Sequence, residues 1–187
     1  MSKIKDAAFS VVGKVYTKIN SLSQAEQQRS AAEKIITPGM PELLRGAAAQ
    51  GSVLLKNDGV LPLKEGSCVS LFGRVQKDWF YTGYGSGGDV NKPYAVNLIE
   101  GIRGCEKLVL DEGTAEFYEK WCDRNVIDHG FWGHWPRFYP EMPVNEDFVK
   151  RATGDTAVVV IGRSSGEDRE NALEKGSYYI TDEEKEM

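Results

Sequence analysis

Thr156-Ala157-Val158-Val159-Val160-Ile161-Gly162-Arg163-Ser164-Ser165-Gly166-Glu167-Asp168-Arg169-Glu170-Asn171 is the stretch on which the reading of the fold turns. Its β-branched run, 158–161, predicts a strand buried on both faces, the habit of a parallel sheet covered by helices. Ligands of such sheets sit beyond the carboxyl ends of the strands. The acids and arginines that follow Gly162 therefore stand where an α/β protein keeps its chemistry.

Working outward, residues 145–153 read as a helix leading into that strand. Upstream, 69–72 reads as a short buried strand closed by Gly73, and 108–110 as another. Helices are predicted over 41–50, 96–103 and 115–123, the first running into Val53-Leu54-Leu55. Asn57-Asp58-Gly59 followed by Pro62 is a turn signal. Strands alternating with helices predict an α/β fold: a layered sandwich with a mostly parallel sheet. Residues 1–37, rich in Ala, Gln, Glu, Lys and Ser, read as a helical leader, and 38–187 as the domain proper. Thr181-Asp182-Glu183-Glu184 fits a capping box, yet the chain reaches Met187 before that helix acquires an apolar face. Three strands are fewer than the five or six of a typical sheet. The domain is thus expected to be the front part of something longer, incomplete at its C-terminal end.

Composition narrows the function. The chain has 187 residues, 41% of them hydrophobic, and a net charge of −5. Its lysines and arginines are scattered, without the basic stripe that nucleic-acid phosphates require, so no nucleic-acid partner is expected. Three cysteines, Cys68, Cys105 and Cys122, without CxxC spacing predict reduced structural thiols. The apolar patch at 7–12 is bracketed by Lys5, Asp6 and Lys14, too short for a signal peptide or a membrane span. A cytoplasmic location and no membrane association are the expectations.

Several motifs invite chemistry. Gly83, Gly85 and Gly88 satisfy GxGxxG, with Asp111 at a distance suited to a ribose-binding acid. The dinucleotide fingerprint needs a helix directly after a strand, whereas Trp79, Phe80 and Tyr81 intervene. A loop whose glycines admit close backbone approach is the preferred reading. His129 and His134, with Asp128 or Cys122, lack the tight spacing of a structural zinc site. Ser164 and Ser165 lack the GxSxG elbow of a serine hydrolase. Neither a metal nor an organic cofactor is implied. The aromatics of 79–81 and 131–135 offer flat faces for stacking on sugar rings or for packing at an interface. Cleavage of a glycosidic bond requires one carboxylic acid to protonate the leaving oxygen and a second carboxylate across the anomeric carbon. Glu167 qualifies as the acid, provided Arg163 and Arg169 pair elsewhere.

Residues 46–63 (GAAAQGSVLLKNDGVLPL), 69–74 (VSLFGR) and 161–169 (IGRSSGEDR) together resemble family 3 glycoside hydrolases of the beta-glucosidase type. The resemblance covers most of the chain from about residue 38 and falls on the family's α/β sandwich domain. It implies retaining hydrolysis of β-linked glucosides or related sugars through a covalent glycosyl-enzyme. Glu167 is matched to the general acid/base. Trp79, Tyr84, Asp89, Trp132 and Trp135 become candidate substrate contacts on the leaving-group side, with Arg163 and Asp168 beside the acid. The nucleophile would come from a (β/α)8 barrel of the same or a companion chain, which needs roughly 250 residues that this sequence lacks. A short leader ahead of the sandwich resembles a permuted subgroup in which the barrel follows; a truncated chain with an added methionine is the competing reading. A non-catalytic sugar-binding or domain-docking module is the alternative function.

Overall fold

The computed structural model describes residues 14, 15, 18, 36–81, 93–127, 139–163 and 172–187. The expected leader therefore lies almost wholly outside the described residues. Helix α1 spans Met40–Gly51, followed by strand β1 (Cys68–Phe72), helix α2 (Leu98–Arg103), strand β2 (Val109–Leu110) and helix α3 (Glu112–Arg124). A single helical turn, α4 (Glu146–Val149), precedes strand β3 (Thr156–Val159), and α5 covers Asp182–Glu186. Among the described residues no helix is long and apolar enough to cross a membrane.

The three strands form one parallel sheet in the order β2-β1-β3. Val69 pairs with Leu110 on one side and with Thr156 on the other. The chain leaves β1 toward one edge and returns across it to reach the other. The order thus reverses between β1 and β3, which is where open α/β sheets bind their ligands.

The core divides along the pleat of β1, because successive side chains point to opposite faces. Val69 and Leu71 join Ile99, Leu110 and Ala115 on one face, with Leu63 and Val158 packed against them. Phe72 meets Tyr118, Met142 and Phe148 on the other. Phe148 is the hub there, edge-on to Phe72 at 5.7 Å and to Tyr118 at 5.6 Å. Asn145 caps α4 by accepting from the Phe148 amide, which fixes that ring's entry.

Two expectations need correction. The doubly buried strand is β1; β3 alternates half-buried and exposed, with Val159 45% exposed. A β-branched run reports strand propensity, but its position in the sheet settles burial, and β3 lies at an edge among the described residues. The helix read over 145–153 stops after one turn. The Thr153 amide donates instead to Asp111 at 2.8 Å and the Gly154 amide to Ser70 Oγ at 3.0 Å. Tertiary hydrogen bonds take the donors that a longer helix would have used. Helix α1 forms as expected, yet none of its residues is buried, and Leu43, Leu44, Val53, Leu54 and Leu55 stand exposed.

Beyond the ladder, the Val160 amide donates to Phe72 O at 2.8 Å, so β1 and β3 stay joined to their tips. Gly73 makes this closeness possible. Its φ of +100° is a conformation side chains avoid, and a Cβ there would stand 2.1 Å from Val160 O. Gly73→Ala is expected to destabilise the fold by about 3 kcal/mol, read from urea unfolding. Gly101→Ala, whose Cβ would meet only a Val96 methyl at 4.0 Å inside α2, should instead be neutral or stabilising by up to about 1 kcal/mol.

Candidate functional site

The carboxyl ends of β1 and β3 carry the same dipeptide, glycine then arginine: Gly73-Arg74 and Gly162-Arg163. Gly73 admits a neighbouring backbone and Gly162 admits neighbouring side chains, and an arginine follows each. Past Gly73 the chain makes a 3₁₀ turn, Arg74–Gln76, and then crosses the tip of β3. A Cβ on Gly162 would lie 2.4 Å from the Phe80 ring and 2.6 Å from a Val75 methyl. Phe80 is held in turn by Tyr139, centroid to centroid 4.6 Å.

Arg74 is almost wholly buried, and a buried guanidinium must be paired and hydrogen-bonded. Its Nε donates to Asp78 Oδ2 at 2.7 Å, its Nη1 to Pro140 O at 3.1 Å and its Nη2 to Asn125 O. The guanidinium also lies over the Trp121 ring at 5.1 Å. Asn125 and Pro140 flank segment 128–138 from either side. One cation thereby fastens both roots of that segment to the end of β1.

Arg163 does the same at β3. Its Nε donates to Ser177 O at 3.0 Å, and Nη1 to Gly162 O at 2.9 Å and Glu184 Oε1 at 2.6 Å. Nη2 donates to Tyr179 O at 3.2 Å and to Glu184 Oε2 at 2.6 Å. All five guanidinium N–H groups are occupied. Arg163, expected beside the substrate, is held here by acceptors of its own chain. Glu184 is 7% exposed in its side chain and also completes the predicted capping box, accepting from the Thr181 amide at 2.7 Å. Burial works to raise its carboxyl, but the hydrogen bonds from Arg163 and Thr181 outweigh that and leave it below the ordinary range.

Of the candidate residues, Trp79 is described: it is 39% exposed, one residue from the Phe80 contact at the tip of β3. Tyr84, Asp89, Trp132, Trp135, Glu167 and Asp168 lie outside the described residues, as do Gly83, Gly85 and Gly88. What the described part establishes is where their segments are rooted. Tyr81, Ile127, Tyr139 and Arg163 border segments 82–92, 128–138 and 164–171. Phe80, Asn125, Tyr139, Pro140 and Gly162 are tied together at the carboxyl ends of β1 and β3. Arginine after a strand-ending glycine was the signal available in the sequence for this convergence.

Glu141 is a site residue that sequence reasoning missed. Burial raises its carboxyl above the ordinary value, opposed by the Arg74 and Met142 amides, and the charge of Glu184 pushes it further up. Both its oxygens accept backbone N–H groups, from Arg74 at 2.7 Å and Met142 at 2.7 Å. Its geometry is that of a brace for the segment root rather than of an open acid.

Asp111, the ribose candidate, faces inward. It accepts from Ser70 Oγ at 2.6 Å, Thr153 N at 2.8 Å and Gly113 N at 3.1 Å. Strand β1 is followed by a 3₁₀ turn and not by the helix a dinucleotide fingerprint needs. Cys122 is buried, its thiol pushed up to about 12 chiefly by desolvation. Asp128, His129 and His134 lie outside the described residues, among which no trio of His, Cys, Asp or Glu is grouped for a metal. A shallow groove between 56–63 and β3 is lined by Leu61, Leu63 and Val158; its two charges, Lys56 and Asp58, pair with each other at 2.9 Å. It lies along β3.

Residues 52–186 match the model of the glycosyl hydrolase family 3 C-terminal domain. A beta-glucosidase of Ruminococcus albus is 39% identical over 140 residues, covering 73% of this chain and 15% of that protein. Beta-glucosidase A of Butyrivibrio fibrisolvens is 33% identical, covering 92% and 23%. Among solved structures, a beta-glucosidase from Paenibacillus barengoltzii superposes with a TM-score of 0.76 at 40% identity, over 81% of this chain and 17% of that one. Beta-glucosidase 3B from Thermotoga neapolitana, in complex with alpha-D-glucose, does so at 0.65 and 33%, over 80% and 22%. The chain thus spans less than a quarter of the length of each of these relatives.

The Asp111 carboxyl is opposed by burial but drawn below its usual value by the Ser70 and Thr153 hydrogen bonds. Its stabilisation is therefore complete above the ordinary carboxylate range and fades as pH falls through the lowered value. Asp111→Asn is expected to lose about 2 kcal/mol at neutral pH. Urea unfolding should show that gap to the unaltered chain narrowing below about pH 4.

Proposed function

Since the chain belongs to glycosyl hydrolase family 3, whose C-terminal domain it matches over residues 52–186, we propose that it contributes the acid/base half of a retaining beta-glucosidase active site. Glu167 is the proton carrier in this reading. It first protonates the departing glycosidic oxygen, then takes a proton from the water that releases the sugar from the covalent intermediate. The second carboxylate, the nucleophile, comes from a (β/α)8 barrel in the same or a companion chain. Two carboxyl groups that perform retention stand about 5 Å apart, so the barrel and this domain must meet at the tips of β1 and β3.

The observation that carries the reading is the convergence of segment roots at those tips, where the strand order reverses. Glu167 stands four residues beyond Arg163, in the segment rooted there. A general acid needs its proton near neutral pH, and an adjacent free cation would strip it. Arg163 presents no such charge, because Glu184 neutralises it bidentately at 2.6 Å. Trp79, Tyr84, Asp89, Trp132, Trp135 and Asp168 would line the leaving-group side, where flat rings stack on sugar. The exposed Leu43, Leu44, Val53, Leu54 and Leu55 supply apolar surface for docking the companion domain. A cytoplasmic location accords with three unpaired thiols.

Two measurements test this. In the assembly of this domain with its barrel, Glu167→Gln should lower kcat/KM for a β-glucoside with a poor leaving group by about 10²–10⁴-fold and for an activated one far less. Equal, small effects on both would favour a non-catalytic sugar-binding or docking module. The chain by itself should show no turnover of aryl β-glucosides, and measurable hydrolysis would refute the divided site.

A further inference from the structure

Resting on the assignment of Glu167 as acid/base, we infer that Arg163 and Glu184 form a positioning pair that fixes the segment carrying that acid relative to β3. Residues 172–179 make a self-bonded turn: Ser177 Oγ accepts from the Ala172 amide at 3.1 Å, and the Gly176 amide donates to Tyr179 O at 2.7 Å. Arg163 joins this turn to the strand through the carbonyls of Ser177 and Tyr179, and joins both to α5 through Glu184. Between the strand and the turn run residues 164–171, with Glu167 in their middle. Both ends of that short span are therefore set by one side chain.

The chemistry of the pair fits holding and no other task. Each guanidinium N–H has a partner within this chain, so none is left for a sugar hydroxyl. The carboxylate grips the fork with both oxygens, a geometry that fixes direction as well as distance. Lysine, with three donors on a flexible stem, cannot serve four acceptor groups arranged around a plane. A general acid displaced by as little as about 1 Å can lose about 10²-fold in rate. The pair thus acts through Glu167 and touches no substrate itself.

The test uses the domain joined to its barrel and a series of aryl and alkyl β-glucosides spanning leaving-group pKa. Glu184→Gln and Arg163→Lys are each expected to steepen the dependence of kcat/KM on leaving-group pKa. The loss should be about tenfold or more for the poorest leaving groups and under about threefold for the most activated. The ratio between two substrates does not depend on how much enzyme is folded, so partial unfolding leaves the readout intact. In a Glu167→Gln background the same substitutions should add nothing further. A uniform loss across the series, an unchanged slope, or additive effects with Glu167→Gln would overturn the inference. If Glu167→Gln alone leaves the slope unchanged, the acid/base assignment itself has failed; if it steepens the slope and the clamp variants do not, only the clamp has.

Discussion

At the carboxyl ends of two neighbouring strands, a glycine leaves room for a close contact and an arginine follows it. Val160 O occupies the position a Gly73 Cβ would take, and Phe80 presses where a Gly162 Cβ would be. That approach lets Arg74 and Arg163 turn back and bind carbonyls from distant parts of the chain. Arg74 reaches Asn125 and Pro140, 51 and 66 residues away; Arg163 reaches Ser177, Tyr179 and Glu184. The carboxyl edge of the sheet is organised by these two side chains, and its segments are rooted where the arginines hold them.

The two clamps solve different electrostatic problems. Arg74 is almost fully buried, and an unpaired charge there would cost several kcal/mol. Asp78 compensates the charge, two carbonyls take further donors, and Trp121 covers the guanidinium face. Arg163 is partly exposed and closes a neutral, bidentate pair with Glu184. Between them stands Glu141, raised by burial and by the charge of Glu184, with both oxygens accepting backbone amides.

Family membership gives the three sequence motifs physical content. In the first, Asn57 holds its turn alone: Oδ1 accepts from the Gly59 and Leu61 amides at 3.1 Å each, and Nδ2 donates to Leu61 O at 2.8 Å. The second is β1 with its clamp, and the third is β3 with its clamp and the acidic segment that follows. The apolar surface of α1 and of residues 53–55 remains unburied within the chain, and the relatives are more than four times as long as the matched portion. Both facts support the docking proposed above.

Local chemistry in the sequence determined which segments are strands and that the layers are α/β. β-Branched runs, the Thr181–Glu184 capping box and strand-ending glycines act over a few residues and are legible there. The acidic stretch at 163–169 could likewise be singled out, because its residues adjoin. Only the tertiary structure decided that β1 and not β3 is buried on both faces, since burial depends on which strand lies between two others. It alone showed that Asp111 braces Ser70 and Thr153, and that both oxygens of Glu184 grip Arg163. Such partners lie 21 to 42 residues apart, and a charge's task is set by what the returning chain brings to it, which no local pattern encodes.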